Sequence, residues 1–125
     1  MSPIECYIDK VILAFINSQV VKNYEIRSLS IKAREGYIRI KAELTNGDTL
    51  EAFEFVTLDN DEIKLQTYRF HWQDKNGRLI KRWDNAPHHP ELENFPHHYH
   101  IPDEPAKPFR LINVKEILKE IEEKL

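Results

Sequence analysis

From Tyr24 onward apolar residues recur at about every second position: first Ile26, Leu29 and Ile31, then Ile38, Ile40, Ala42 and Leu44 alternating with Tyr37, Arg39, Lys41 and Glu43. Successive side chains of a strand point to opposite faces of a sheet, so this pattern buries one face, wets the other and rules out an all-helical fold. Asn46-Gly47 between two such runs predicts a hairpin closed by a two-residue type I′ turn, which needs positive φ at both central positions. The next run, Thr49 to Leu58, changes phase between Ala52 and Phe53 and so predicts a β-bulge. Ile63 to Gln73 and Arg78 to Trp83, joined through Asp74-Lys75-Asn76-Gly77, bring the antiparallel meander to about five strands. In the fourth, Tyr68, Phe70 and Trp72 share one face, and Thr67, Arg69 and His71 the other.

Helical spacing brackets the meander. Ser2-Pro3-Ile4-Glu5 offers an N-cap serine, a proline suited to the first helical turn and a glutamate that can close a capping box. A helix from Pro3 to about Ser18 follows, with Ile8, Val11, Ile12, Phe15 and Ile16 as its apolar face. At the other end Asn113 and Glu116 form a second capping box, Ile112 and Ile117 a hydrophobic staple, and Ile117, Leu118, Ile121 and Leu125 an apolar stripe running to about Lys124. Six of the seven prolines lie between Asn85 and Pro108, which forbids a regular helix there and predicts a long loop over residues 85–108. At 125 residues with 41% apolar side chains, the chain is expected to be one α+β domain over residues 1–125.

A formal charge of −3 argues against a protein that coats nucleic acid by bulk electrostatics. Residues 64–110 nevertheless hold 8 basic against 6 acidic side chains, so a local anion site remains open. A lone Cys6 makes no internal disulfide, and with no leader or long apolar run in the sequence the expected location is cytoplasmic, with no membrane partner.

The chemistry concentrates in the proline-rich stretch, where five of the six histidines fall between His88 and His100. Histidine exchanges protons near neutrality and is the commonest metal ligand, so two kinds of catalysis are open. Metal-independent RNA cleavage needs a base, an acid and cationic donors for the charge growing on phosphorus. His88 or His89 with His97, His98 or His100 fit the first two roles, Arg69 and Arg82 the third, Asp84 would orient a histidine, and His71 completes the adjacent strand surface. Trp83, Tyr99 or Phe95 could stack on bases, at about 1–3 kcal/mol per base. No metal cofactor is needed on that reading. A divalent metal, held by His88, His98 and His100 with His89 or Asp84 as further donors, is the alternative. A third reading is a non-enzymatic module whose loop is a binding surface for a partner. Ordinary packing competes with each: strand tryptophans usually fill a sheet face, and Asp84-Asn85 before Pro87 fits an Asx turn.

The strings Tyr68-Arg69-Phe70-His71-Trp72, Gly77-x-Leu79-Ile80-x-Arg82-Trp83-Asp84-Asn85-Ala86-Pro87-His88-His89-Pro90 and Phe95-Pro96-His97-His98-Tyr99-His100 resemble the TumE-type toxins of prokaryotic toxin-antitoxin modules. The resemblance spans roughly residues 24–104. It implies a small cytoplasmic toxin with a cognate antitoxin as partner, and it carries over His71, Arg82, Trp83, Asp84, Asn85, His88, His89, His97, His98 and His100. Small toxins that inhibit translation often attack RNA, and this analogy, with the site chemistry, makes an endoribonuclease the expected activity, RNA the second partner and a homodimer an open assembly; on the non-enzymatic reading the loop grips the antitoxin or a ribosomal component.

Overall fold

The computed structural model describes residues 1–125. Helix α1 (Pro3–Asn17) leads into strands β1 (Val21–Ile31), β2 (Glu35–Leu44), β3 (Thr49–Asp59), β4 (Glu62–Gln73), β5 (Leu79–Asp84), β6 (His98–His100) and β7 (Lys107–Pro108), and helix α2 (Val114–Lys124) closes the chain. The seven strands form one antiparallel sheet in chain order. The α+β class and the meander are as the alternation predicts, but the sheet has seven strands rather than five. The two extra strands are short and come from within the proline-rich stretch. Pro87, Pro90, Pro96, Pro102 and Pro105 lie outside both of them, and the only strand proline, Pro108, sits on edge strand β7, where a missing N–H is tolerated.

Both helices cover one face of the sheet. Ile4, Ile8, Val11 and Phe15 of α1 and Val114, Ile117, Leu118 and Ile121 of α2 join Ile38, Ile40, Ala42, Leu50, Ala52, Phe70, Trp72 and Trp83 in a single core of 21 buried residues. Ser2 caps α1 by accepting the Glu5 N–H, and Asn113 and Glu116 form the full capping box of α2. Ile16 and Leu125 fall outside the two apolar faces and are exposed. On β1, an edge strand, Ile26, Leu29 and Ile31 are also exposed.

Turn chemistry departs from expectation in an instructive way. The Asn46-Gly47 hairpin forms, but with a three-residue loop: the Gly47 N–H donates to Leu44 O, the Leu44 N–H to Asp48 O, and only Gly47 has positive φ. Asp74 to Arg78 repeats that loop around Gly77. The type I′ geometry appears instead at Asn60-Asp61, where both φ values are positive between the paired Asp59 and Glu62.

The bulge expected in β3 is absent at Ala52/Phe53. Leu50, Ala52, Glu54 and Val56 keep a strict inward alternation, and the register shift lies between Phe55 and Val56, where β4 holds the extra residue Gln66. The apparent phase change comes from a carboxylate in the core. Glu54 is buried and accepts from the Tyr7 hydroxyl of α1 and from the Val114 N–H that opens α2, at 2.8 Å in the latter case.

Candidate functional site

Antiparallel register lines up side chains across the helix-free face in two rows. One runs Arg39, Phe53, Arg69, Asp84, His98 from β2 to β6, and the next runs Lys41, Glu51, His71, Arg82, His100. Directly paired residues share a face, so the histidine end of each row and its cationic end, Arg39 in one and Lys41 in the other, look out on the same side. A cavity of about 370 Å³ sits over the first row and is lined by Arg39, Phe53, Arg69, Arg82, Asp84, His88, His89, His98 and His100, among others. Three guanidinium groups against one carboxylate give it a cationic lining.

Asp84 ends β5 and organises the polar end of the cavity. Its Oδ1 accepts the Ala86 N–H at 3.0 Å, which is the Asx turn, and faces His98 Nε2 at 3.0 Å; its Oδ2 accepts from Arg82 Nε at 3.2 Å. Asn85 extends the β4 ladder beyond β5, its Oδ1 accepting the Tyr68 N–H and its Nδ2 donating to Gln66 O. With those two residues fixed, the chain turns outward at Pro87 and carries His88 and His89 over the cavity. His98 is 2% exposed, with Nδ1 2.8 Å from the Pro96 carbonyl. The rings of His89, His98 and His100 meet edge to face, with centroids 4.8–5.6 Å apart. Burial, then the Arg82 guanidinium, pushes the His100 imidazolium below its ordinary pKa, while Asp84 pulls the other way. One potential ligand atom from each of His89, His98 and His100 lies within 4.8 Å of the others, so His89 takes the place expected of His88 in the metal-capable set.

The remaining expected residues lie elsewhere. Trp83 and Tyr99 pair across β5 and β6 on the helix-covered face, opposite the histidines, because they are one residue out of phase with Asp84 and His100. There, with Phe109, they surround the Lys81 ammonium at 4.5–5.7 Å, and that ammonium also bonds Glu120 of α2 at 2.8 Å. Neither aromatic can stack on a base in the cavity. His97 points back from the cluster, stacks on Tyr68 and shares a 2.8 Å hydrogen bond with its hydroxyl, and burial lowers its pKa. His71 bonds Gln73 beside a smaller hollow with Arg39, Glu51 and Arg69, and burial lowers its pKa as well. Phe95 is exposed on the loop.

Sequence reading missed Arg39 and Phe53, whose guanidinium and ring stack at 4.7 Å. The outward phase of Arg39 on β2 was visible, that of Phe53 on β3 was hidden by the apparent phase change after Ala52, and the pairing of Arg39 through Phe53 with Arg69 was not legible at all.

No helix is long and apolar enough to cross a membrane. No curated protein and no solved structure matches the chain. The family Toxin TumE matches residues 8–125, which takes in the whole sheet, the histidine-bearing segment and α2. The chain therefore belongs to the TumE toxin family, the toxin partner of a toxin-antitoxin module.

Proposed function

We propose that this toxin is an endoribonuclease whose active site is the cavity on the open face of the sheet, with no metal needed for the chemistry. The observation that carries the reading is the convergence of Arg39, Arg69 and Arg82 with His89, His98 and His100 around one cavity. The 2′-oxygen of RNA attacks phosphorus, the bond from phosphorus to the 5′-oxygen breaks, and the products are a 2′,3′-cyclic phosphate and a 5′-hydroxyl. One group must take the 2′ proton, another must give a proton to the leaving oxygen, and donors must meet the charge growing on the non-bridging oxygens.

The geometry supports one division of those tasks. Both ring nitrogens of His98 are occupied, by Pro96 and Asp84, so this pair braces the site. His89 and His100 are the proton carriers, with ring centroids 5.6 Å apart at the cavity wall. Arg69 and Arg82 hold the phosphate, and Phe53, half-buried under Arg39, offers a base the stacking surface that Trp83 and Tyr99 do not. His88 is exposed on the rim, where it can meet a neighbouring phosphate.

The purified full chain is expected to cleave RNA in excess chelator and leave cyclic-phosphate ends. His100→Ala should lower the rate by about 100-fold or more, the usual contribution of a positioned acid or base, and Arg69→Ala should raise KM. Cleavage undiminished in both variants, or growth arrest that survives replacement of every loop histidine, would sink the proposal in favour of a binding module.

A further inference from the structure

His98 has a hydrogen-bonding problem that a proton is not alone in solving. Nδ1 faces the Pro96 carbonyl at 2.8 Å and Nε2 faces Asp84 Oδ1 at 3.0 Å, and both neighbours only accept. A neutral ring that donates Nδ1–H to Pro96 aims its Nε2 lone pair at a carboxylate, which is repulsive unless a cation stands close by. A metal ion is such a cation. Donation of the far N–H to a backbone carbonyl is also how metal-binding histidines are held in tautomer and orientation.

The rest of a coordination shell stands beside it. His100 lies two residues along β6 on the same face, His89 comes in from the loop, and one potential ligand atom from each of the three lies within 4.8 Å of the others. Tetrahedral zinc at ordinary Zn–N lengths holds its nitrogens about 3.3 Å apart, so small ring rotations and a slight inward movement of the loop complete the set. Asp84 Oδ2, 3.8 Å from His100 Nε2, is placed as a further acceptor for a metal-bound water. Three imidazoles favour zinc, nickel or copper over magnesium or calcium, which prefer oxygen.

We propose that His89, His98 and His100 bind one divalent transition-metal ion of the zinc class, and that the loaded protein is held inactive. The second half rests on the ribonuclease reading above: a nitrogen lone pair bonded to metal cannot accept a proton, so a bound ion removes His89 and His100 from catalysis together. Loading also fastens the loop carrying His89 to β6, which narrows the entrance to the cavity.

The full chain, stripped with chelator, is titrated with Zn²⁺ by calorimetry and with Co²⁺ by visible absorption. One ion per chain is expected, with Kd below about 1 μM and the absorption bands of low-symmetry cobalt. His89→Ala and His100→Ala should each weaken binding about 100-fold, while His71→Ala, outside the cluster, leaves it unchanged. His89 sits on the loop, so its variant tests the site even if replacing buried His98 unfolds the chain. Binding weaker than about 100 μM, or equal binding in the His89 and His100 variants, overturns the site. RNA cleavage on the same samples separates the two readings. Cleavage suppressed by one equivalent of zinc and restored by chelator supports the inhibitory role, and cleavage that requires zinc overturns that role while the site stands. Stoichiometric binding with no cleavage in either state removes the ribonuclease reading and leaves the metal site intact.

Discussion

Asp84 serves the Ala86 N–H, Arg82 Nε and His98 Nε2 with two oxygens, and each of those bonds fixes a different neighbour. Asp84→Asn keeps the acceptor for Ala86 but removes the charge that organises Arg82 and His98, so RNA cleavage should fall far more than stability does. Gly36 is a second residue with no substitute, for a reason of space rather than charge. A Cβ there would stand 2.6 Å from Ile4 Cγ2 and 2.8 Å from the Ser30 backbone oxygen, so α1 or the β1–β2 ladder must shift to admit it. Gly36→Ala is expected to cost about 1–3 kcal/mol in urea unfolding; a cost near zero would show that α1 yields easily at its first turn.

At the scale of elements, β3 joins the two helices through Glu54. Burial raises the Glu54 pKa, against the opposing pull of the Tyr7 hydroxyl and the Val114 N–H. The sign follows: the folded chain holds the Glu54 proton more tightly than the unfolded chain, so this contribution to stability is full below pH 4.5 and is lost as pH rises through the folded value. Glu54→Gln should flatten that dependence in thermal melts taken across the acid range, and a parallel pair of curves would refute it. Glu54→Ala strands both donors and should cost about 3 kcal/mol. Lys81 plays the matching part at the other end of α2. Its ammonium, between three aromatic rings and Glu120, ties the helix to β5 and β6 and so holds the underside of the strand that carries His98 and His100.

For the whole molecule the decisive feature is that five strands contribute one residue each to a row ending at His98. Arg39 is far from the histidines in sequence and beside them in space, and it gives an acidic chain a local cationic surface. If RNA lies along the row, Arg39→Ala should reduce the slope of log Kd against log salt by about 0.7, the value of one phosphate contact on a single strand; an unchanged slope would place the RNA elsewhere. From the sequence alone come the period of β1 to β5, both helix N-caps, the α+β class and the face on which Arg69 and His71 lie. These are local matters, settled within a few residues by alternation, turn chemistry and side-chain hydrogen bonding to nearby backbone. It misled at Glu54, where a core carboxylate mimicked a phase change, and within residues 85–108, where two short strands have too few residues to show a period. Register, and with it the rows, comes from strand pairing in the folded chain. Side-chain alternation says which face a residue takes, while the pairing of one strand with the next says which residues meet there. That is why five neighbouring histidines in sequence divide in space, three into a cluster, His97 onto Tyr68 and His88 onto the exposed rim. It is also why Trp83 and Tyr99, one position out of phase with Asp84 and His100, belong to the core.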